Sequence, residues 1–189
     1  MASGQSEVAL ANIALGHIAE ATIANFDEPG KSARWMKTNF AFSRDQLLSA
    51  FAWSFSKWRG LIAAETQSPA FDYSHQYLLP ADCLFPLPLY RLDENGDPVE
   101  IPHSVETGHV LVNLQGPLKL HYVRRVTDPG EFTIPFCEVL TLLLARNFAH
   151  NLTGKRTLKA EMHQEFEATL KRSKKRDGLL GTPSQVIVQ

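Results

Sequence analysis

From residue 6 to about residue 24, the apolar side chains Val8, Leu10, Ala11, Ala14, Leu15 and Ile18 recur at steps of three and four. Ser6 sits where an N-cap would accept a backbone N–H, so the pattern predicts a short amphipathic helix. The stretch NFDEPGKS then supplies turn chemistry. After it, Ala33, Met36, Phe40, Leu47, Leu48, Phe51, Phe55 and Trp58 predict a second helix from Lys31 to about Trp58. On that helix Phe51, Phe55 and Trp58 fall at i, i+4 and i+7 and share a core-facing stripe with Leu47 and Leu48. Trp53 points away from the stripe, toward another layer or a neighbouring subunit.

After Gly60 the texture changes to one rich in proline, glycine and β-formers. LYRLDENGDPVEI reads as two strands around an Asn-Gly turn, GHVLVNL as a third strand and LKLHYVRRV as a fourth. Pro80, Pro86 and Pro88 confine the run between them to an edge or an extended crossing. His109 and His121 fall on adjacent predicted strands, as rim residues. Helix returns after the Asp128-Pro129-Gly130 turn, with Pro135 suited to a first helical position and Gly154 to a C-cap. FCEVLTLLLARNFAHNLTG between them is apolar around much of its circumference, which predicts burial on several sides. A last helix runs from Lys155 to about Arg176, with Leu158, Met162, Phe166 and Leu170 as its apolar stripe. DGLLGTPSQVIVQ follows as a helix stop and a loose tail whose alternating end would become a strand if offered a sheet edge.

The predicted fold is therefore α+β: a four-helix bundle with a small antiparallel β subdomain inserted between helices 2 and 3, and an extended C-terminal tail. In residue terms the bundle takes 1–59 and 130–176, the β subdomain 60–129 and the tail 177–189.

Composition narrows the chemistry. A net charge of -1 over 189 residues argues against a surface built wholly for nucleic acid. Cys83 and Cys137 stand far apart with no CxxC neighbour and read as reduced thiols. The seven histidines never form HxH, HxxxH or HExxH, so no metal or cofactor is expected, and no GxSxG, GxxxxGK[ST] or GxGxxG is present. The opening residues have no basic n-region, and their apolar run is broken by Asn12 and Gly16, so synthesis in the cytoplasm and no membrane partner are expected. Loop acids Asp72, Asp82, Glu94 and Asp97 are the residues a glycan hydrolase would use as an acid and base pair. The strongest charge feature is KRSKKR, where Lys171, Arg172, Lys174, Lys175 and Arg176 crowd the expected end of the last helix. A helix dipole accounts for one or two of these cations, and the rest suggest an acidic partner, a protein surface or DNA phosphates.

In their order and spacing, ALANIALG, LLSAFAWSFSKWR, YLLPADCLF, LKLHYVRRVTDPGEF and FCEVLTLLLARNFAHNLTG resemble tail tubular protein A, the head-to-tail adaptor of short-tailed bacteriophages. The resemblance runs from about residue 7 to about residue 172. It implies a non-enzymatic virion component: a twelve-subunit homo-oligomeric ring between the portal protein and the tail nozzle protein, with DNA passing through an axial channel. By the same likeness the tail reaches into the portal, with Val186, Ile187 and Val188 as its docking strand. The basic run then meets the portal or the DNA, and Trp35 and Trp53 are buried between subunits. Where relatives often carry an arginine after the LPxDCL string this chain has Phe85, so a polar contact at that point is not carried over. Two other readings stay open on the residues themselves: a tail-associated cell-wall glycan hydrolase using the loop acids, and a DNA-binding module using KRSKKR.

Overall fold

A computed structural model describes residues 5–153 and 156–180. The architecture is α+β, with four α-helices and small antiparallel sheets among those residues. In chain order the elements are α1 (Glu7–His17), α2 (Lys31–Ala50), β1 (Lys57–Ile62), β2 (His75–Leu78), β3 (Cys83–Pro86), β4 (Tyr90–Leu92), β5 (Pro98–Glu100), β6 (His103–Glu106), β7 (His109–Val112), β8 (Leu118–Arg124), α3 (Ile134–Thr153) and α4 (Arg156–Leu180). They divide into two compact units. One is helical and holds the described residues up to Phe55 and from Val126 onward; the other is Ser56–Arg125.

In the helical unit, α1, α2 and α4 each pack on α3. Phe136, Val139, Leu140, Leu143, Leu144 and Phe148 of α3 are all buried, which is what a helix apolar on several faces requires. Trp35 of α2 lies on Phe148, with ring centroids 4.1 Å apart, and Arg146 of α3 lies over the ring of Phe166 of α4 at 4.5 Å. Ser6 caps α1 as expected, its hydroxyl accepting from the Ala9 N–H. The helix ends at His17 rather than near residue 24. Glu20 N–H reaches Leu15 O and Ala19 N–H reaches Gly16 O, a Schellman closure with Ala19 at φ 57 where glycine usually stands. Asn12 then holds the returning segment, accepting from Ile23 N–H and donating to Ile23 O.

The largest departure from the sequence pattern is the end of α2. The helix stops at Ala50, and Phe51 is extended at φ -161, ψ 142. Trp53 turns back beneath the helix end, wholly buried, and its indole N–H donates to Leu47 O. Its ring meets Phe51 and Phe136 edge-on at 5.2 and 5.3 Å. Phe51 and Phe55 are half-buried, and Trp58 lies on β1, 52% exposed beneath the Arg124 guanidinium. The expected stripe of Phe51, Phe55 and Trp58 is thus overturned, and the one ring of the four assigned elsewhere is the one at the centre of the core. The helical spacing lost because an indole has two things to satisfy at once, a large apolar area and an N–H, and the last turn of α2 offers a free carbonyl beside an aromatic cluster.

Helix α4 also differs: it continues through Asp177 and Gly178 to Leu180 instead of stopping near Arg176. Its buried positions are Met162, Phe166, Thr169, Ser173 and Asp177, while Leu158 and Leu170 are only partly covered. Strict four-residue steps rotate by about 40° each around an α-helix, so an i, i+4, i+8 stripe drifts off the contact line that a 3.6-residue repeat follows. Asp177 is no helix stop. It is buried, and its carboxylate accepts from both the backbone N–H and the hydroxyl of Ser54, at 2.8 Å each. Gly154, the expected C-cap of α3, lies outside the described residues, as do Val186, Ile187 and Val188.

The Ser56–Arg125 unit holds the sheets β1-β8-β3 and β2-β7-β6 and the hairpin β4-β5, all antiparallel. The β4-β5 hairpin forms on the Asn-Gly turn: Gly96 has φ 85, and the Asp93 carboxylate accepts from the N–H groups of Asn95 and Asp97. β3 is an edge strand with a bulge, as its prolines demand. β1, β2 and β6 are strands the sequence pattern passed over. β6 and β7 join through Thr107 and Gly108, both at positive φ, the backbone of a tight two-residue hairpin turn. His109 and His121 are not neighbours in a sheet, since β7 pairs with β2 and β6 whereas β8 pairs with β1 and β3. The core joins Tyr77, Leu89, Val110, Val112, Leu120 and Tyr122.

Two substitutions test these assignments in urea unfolding followed by circular dichroism. Trp53→Ala is expected to cost about 3–5 kcal/mol, and Trp58→Ala less than about 1 kcal/mol. Equal costs would contradict the burial order. Ala19→Gly is expected to raise stability by about 1 kcal/mol, because the left-handed conformation carries no Cβ penalty for glycine.

Candidate functional site

The basic run lies inside α4, not at its end: the last turn carries no basic residue, so the helix dipole accounts for none of these cations. Helical geometry sorts them into two rows. Lys171, Arg172, Lys175 and Arg176 are exposed, while Lys174 is half-buried with its ammonium 5.3 Å from the ring of Phe51. Arg172 donates to Thr169 Oγ1 at 3.0 Å, and Arg176 comes within 3.9 Å of Glu138, an exposed pair that adds little stability. Ser173, between the rows, is buried. The run is therefore a cationic outer face on a helix whose inner face is anchored through Asp177.

Beside that face runs a groove of about 710 Å³, enclosed by α1, α3 and α4. Ile13 and Ile134, 45% and 52% exposed, provide most of its exposed apolar surface, since Leu10 and Leu142 behind them are buried, and most of the other lining residues are polar or charged. Glu165 stands at one position along the α4 wall and Arg172 and Arg176 stand two to three turns further on. Sequence reasoning passed over this groove. The available signal was Ile13, which lies off the stripe made by Leu10, Ala11, Ala14 and Leu15, and Ile134, an apolar residue at the very start of α3.

The two tryptophans assigned to a subunit interface have different fates. Trp53 is wholly buried within its own unit and has no surface to offer a neighbour, which removes it from that role. Trp35 keeps a partly exposed edge beside Phe148.

The four loop acids are not brought together. Asp72 sits in the loop before β2 at φ 66, Asp82 precedes β3, and Glu94 and Asp97 belong to the β4-β5 turn. A cavity of about 560 Å³ next to that turn is lined by Asp93 and Glu94 together with Tyr77 and Arg91, without Asp72 or Asp82. Asp82 instead accepts from the Tyr122 hydroxyl at 3.2 Å. Burial, reinforced by the Asp82 charge and that hydrogen bond, pushes Tyr122 up to about 12, and burial with the same charge pushes the Cys83 thiol up to about 11. Neither is activated toward nucleophilic chemistry at neutral pH. His121 is buried in β8, and its pKa is lowered by burial and by the charges of Arg59 and Lys57, which favours the neutral imidazole.

Among the described residues no group of three or more His, Cys, Asp or Glu side chains is placed to hold a metal ion, and no helix is long and apolar enough to cross a membrane. No protein-family model matches the chain, and a search of curated proteins finds no match to it.

The raised thiol pKa has a direct readout. Alkylation of Cys83 by iodoacetamide, followed by peptide mass spectrometry, is expected to rise about tenfold per pH unit until near pH 11, and at pH 8 to run roughly a hundredfold slower than an ordinary exposed thiol. A plateau near pH 9 would show that Asp82 and burial leave the thiol unaffected.

Proposed function

We propose that this chain is a head-to-tail adaptor of a short-tailed bacteriophage, of the tail tubular protein A type, acting as a structural part of the virion and not as a catalyst. The helices form a four-helix bundle that makes the body of a twelve-subunit ring, and the β unit projects toward other tail components. The ring sits between portal and nozzle and passes DNA through its axis. The observation that carries this reading is the order of the sequence marks, together with a β unit, Ser56–Arg125, inserted as one continuous stretch into a helical unit drawn from both sides of it. A glycan hydrolase would need its acid and base to face one cleft, and Asp72 and Asp82 stand outside the cavity that Glu94 lines.

In this role α4 is the lever that presents the docking tail. Lys171, Arg172, Lys175 and Arg176 face outward on its last turns, where portal carboxylates or DNA phosphates can meet them. Asp177 holds the helix to Ser54 within a turn of the end of α4 at Leu180. Val186, Ile187 and Val188 then add as a strand to an edge of the portal.

The experiment is a truncation after Leu180, which spares the Asp177 anchor. The shortened chain is expected to remain folded by circular dichroism and to lose co-sedimentation with purified portal, whereas the full chain binds it. Normal attachment of the truncation would overturn the role of the tail, and failure of the full chain to bind would overturn the adaptor reading itself.

A further inference from the structure

The β unit has an open side. Its buried core takes Tyr77 from β2, Val110 and Val112 from β7, and Leu118, Leu120 and Tyr122 from β8, so its two three-stranded sheets share one interior. Among the described residues β3 ends one of these sheets and β6 ends the other. Cys83–Pro86 of β3 and His103 and Val105 of β6 line the same groove, of about 760 Å³. Leu78, Leu84, Phe85, Pro86, Pro88 and Val105 make its lining apolar; none of them is buried, and Leu78 and Val105 are 56% and 47% exposed. Val105 stands opposite Val110, and opposite residues of an antiparallel pair share a face, so it carries the core surface out to the last strand. An apolar trough between two sheet edges is the setting in which an added strand makes ladder hydrogen bonds and covers side chains at once.

A strand of matching character lies on the same chain. Beyond α4 come nine residues, GTPSQVIVQ, with no charged side chain, and the groove's polar side chains are Glu100 and His103. His103 Nδ1 already lies 2.8 Å from Ile101 O. In QVIVQ a period of two sets Val186 and Val188 on one face and Ile187 between Gln185 and Gln189 on the other, an apolar face for the groove and a more polar one for water. β6 is the better template of the two edges, because Pro86 removes an N–H from β3 and a bulge breaks its register. Chain connectivity keeps the segment in range. Asp177, near the end of α4, is bonded to Ser54, three residues before β1 begins, and Lys57 of β1 stands in register with Val123 and through it with Phe85 of β3. Three extended residues cover about 10 Å and two strand spacings about 10 Å more, whereas nine residues span up to about 30 Å.

We infer that the open side of the β unit is a strand-acceptor groove, and that residues 185–189 of the same chain fill it until another sheet edge takes them. Val186 and Val188 enter the trough, and the backbone of the segment pairs with β6. This rests on the strand reading of the tail given above and adds where that strand lies before a partner is met. A portal edge then competes with the chain's own groove, and the apparent affinity for portal falls by the fraction of chains whose tail is latched. The latch also covers an edge strand that, left bare, is a template for aggregation.

The test uses the full-length chain carrying Val186→Asp and Val188→Asp together, which releases the tail without shortening it, with circular dichroism to verify folding. In hydrogen exchange followed by mass spectrometry, β6 is expected to exchange at least about tenfold more slowly in the wild type than in the double variant. A fluorescein-labelled peptide of residues 181–189 is expected to bind the double variant saturably, by anisotropy. The wild type is expected to bind it at least about tenfold more weakly, because its own tail occupies the groove. Adding Val105→Asp to the double variant is expected to abolish peptide binding. Equal exchange of β6 in the two chains, equal peptide binding by them, or no peptide binding at all would overturn the latch. Protection of β6 that appears only at concentrations where sedimentation velocity shows association would put the tail in a neighbour's groove and overturn it as well. Portal co-sedimentation separates the two proposals: portal binding by the wild type without β6 protection sinks the latch alone, and β6 protection without portal binding sinks the adaptor reading alone.

Discussion

Helix α3 cannot stand in water. Phe136, Val139, Leu140, Leu142, Leu144 and Ala145 distribute buried apolar surface around most of its circumference, so it is stable only inside a sheath. The rest of the helical unit follows from providing that sheath: α1, α2 and α4 each lie along it, and the aromatic cluster at the end of α2 closes over Phe136. Trp53 belongs to this closure. By burying its ring against Phe136 and donating to Leu47 O, it ends α2 and turns the chain out of the helical unit. Ser54, the next residue, is gripped by Asp177 of α4. The place where the chain leaves for the β unit and the end of α4 are therefore tied to one another by a buried carboxylate.

That tie gives the basic face of α4 its fixed setting. A cationic helix face on a frayed end would be a solvated charge run and nothing more. Here Thr169, Ser173 and Asp177 hold the inner side while Lys171, Arg172, Lys175 and Arg176 remain outside. The groove alongside has Ile13 and Ile134 as its exposed apolar residues, with Glu165, Arg172 and Arg176 on its α4 wall. The β unit carries its own core and its own buried polar group, Tyr77, whose hydroxyl lies 2.8 Å from the carbonyls of Leu114 and Gly116.

Much of this was legible from residue order alone, because local chemistry decides it. The Ser6 cap, the start of α2 at Lys31, the Asn-Gly hairpin of β4 and β5, the Asp128 turn and the all-round burial of α3 depend on neighbours in sequence or on a composition that permits one environment. What only the tertiary structure decided was where two local readings competed. FAWSFSKWRG fits a helix by spacing and a turn followed by a strand by partner availability. The strand won because β8 offers Lys57–Ile62 six consecutive partners, and because Trp53 satisfies its ring and its N–H together only by leaving the helix. Likewise Asp177-Gly178 reads as a stop until Ser54, 123 residues away in sequence, supplies two donors to the carboxylate. Periodicity reports which side chains could share a face; which of them are buried depends on what the fold brings opposite, and distant partners leave no mark in a local pattern.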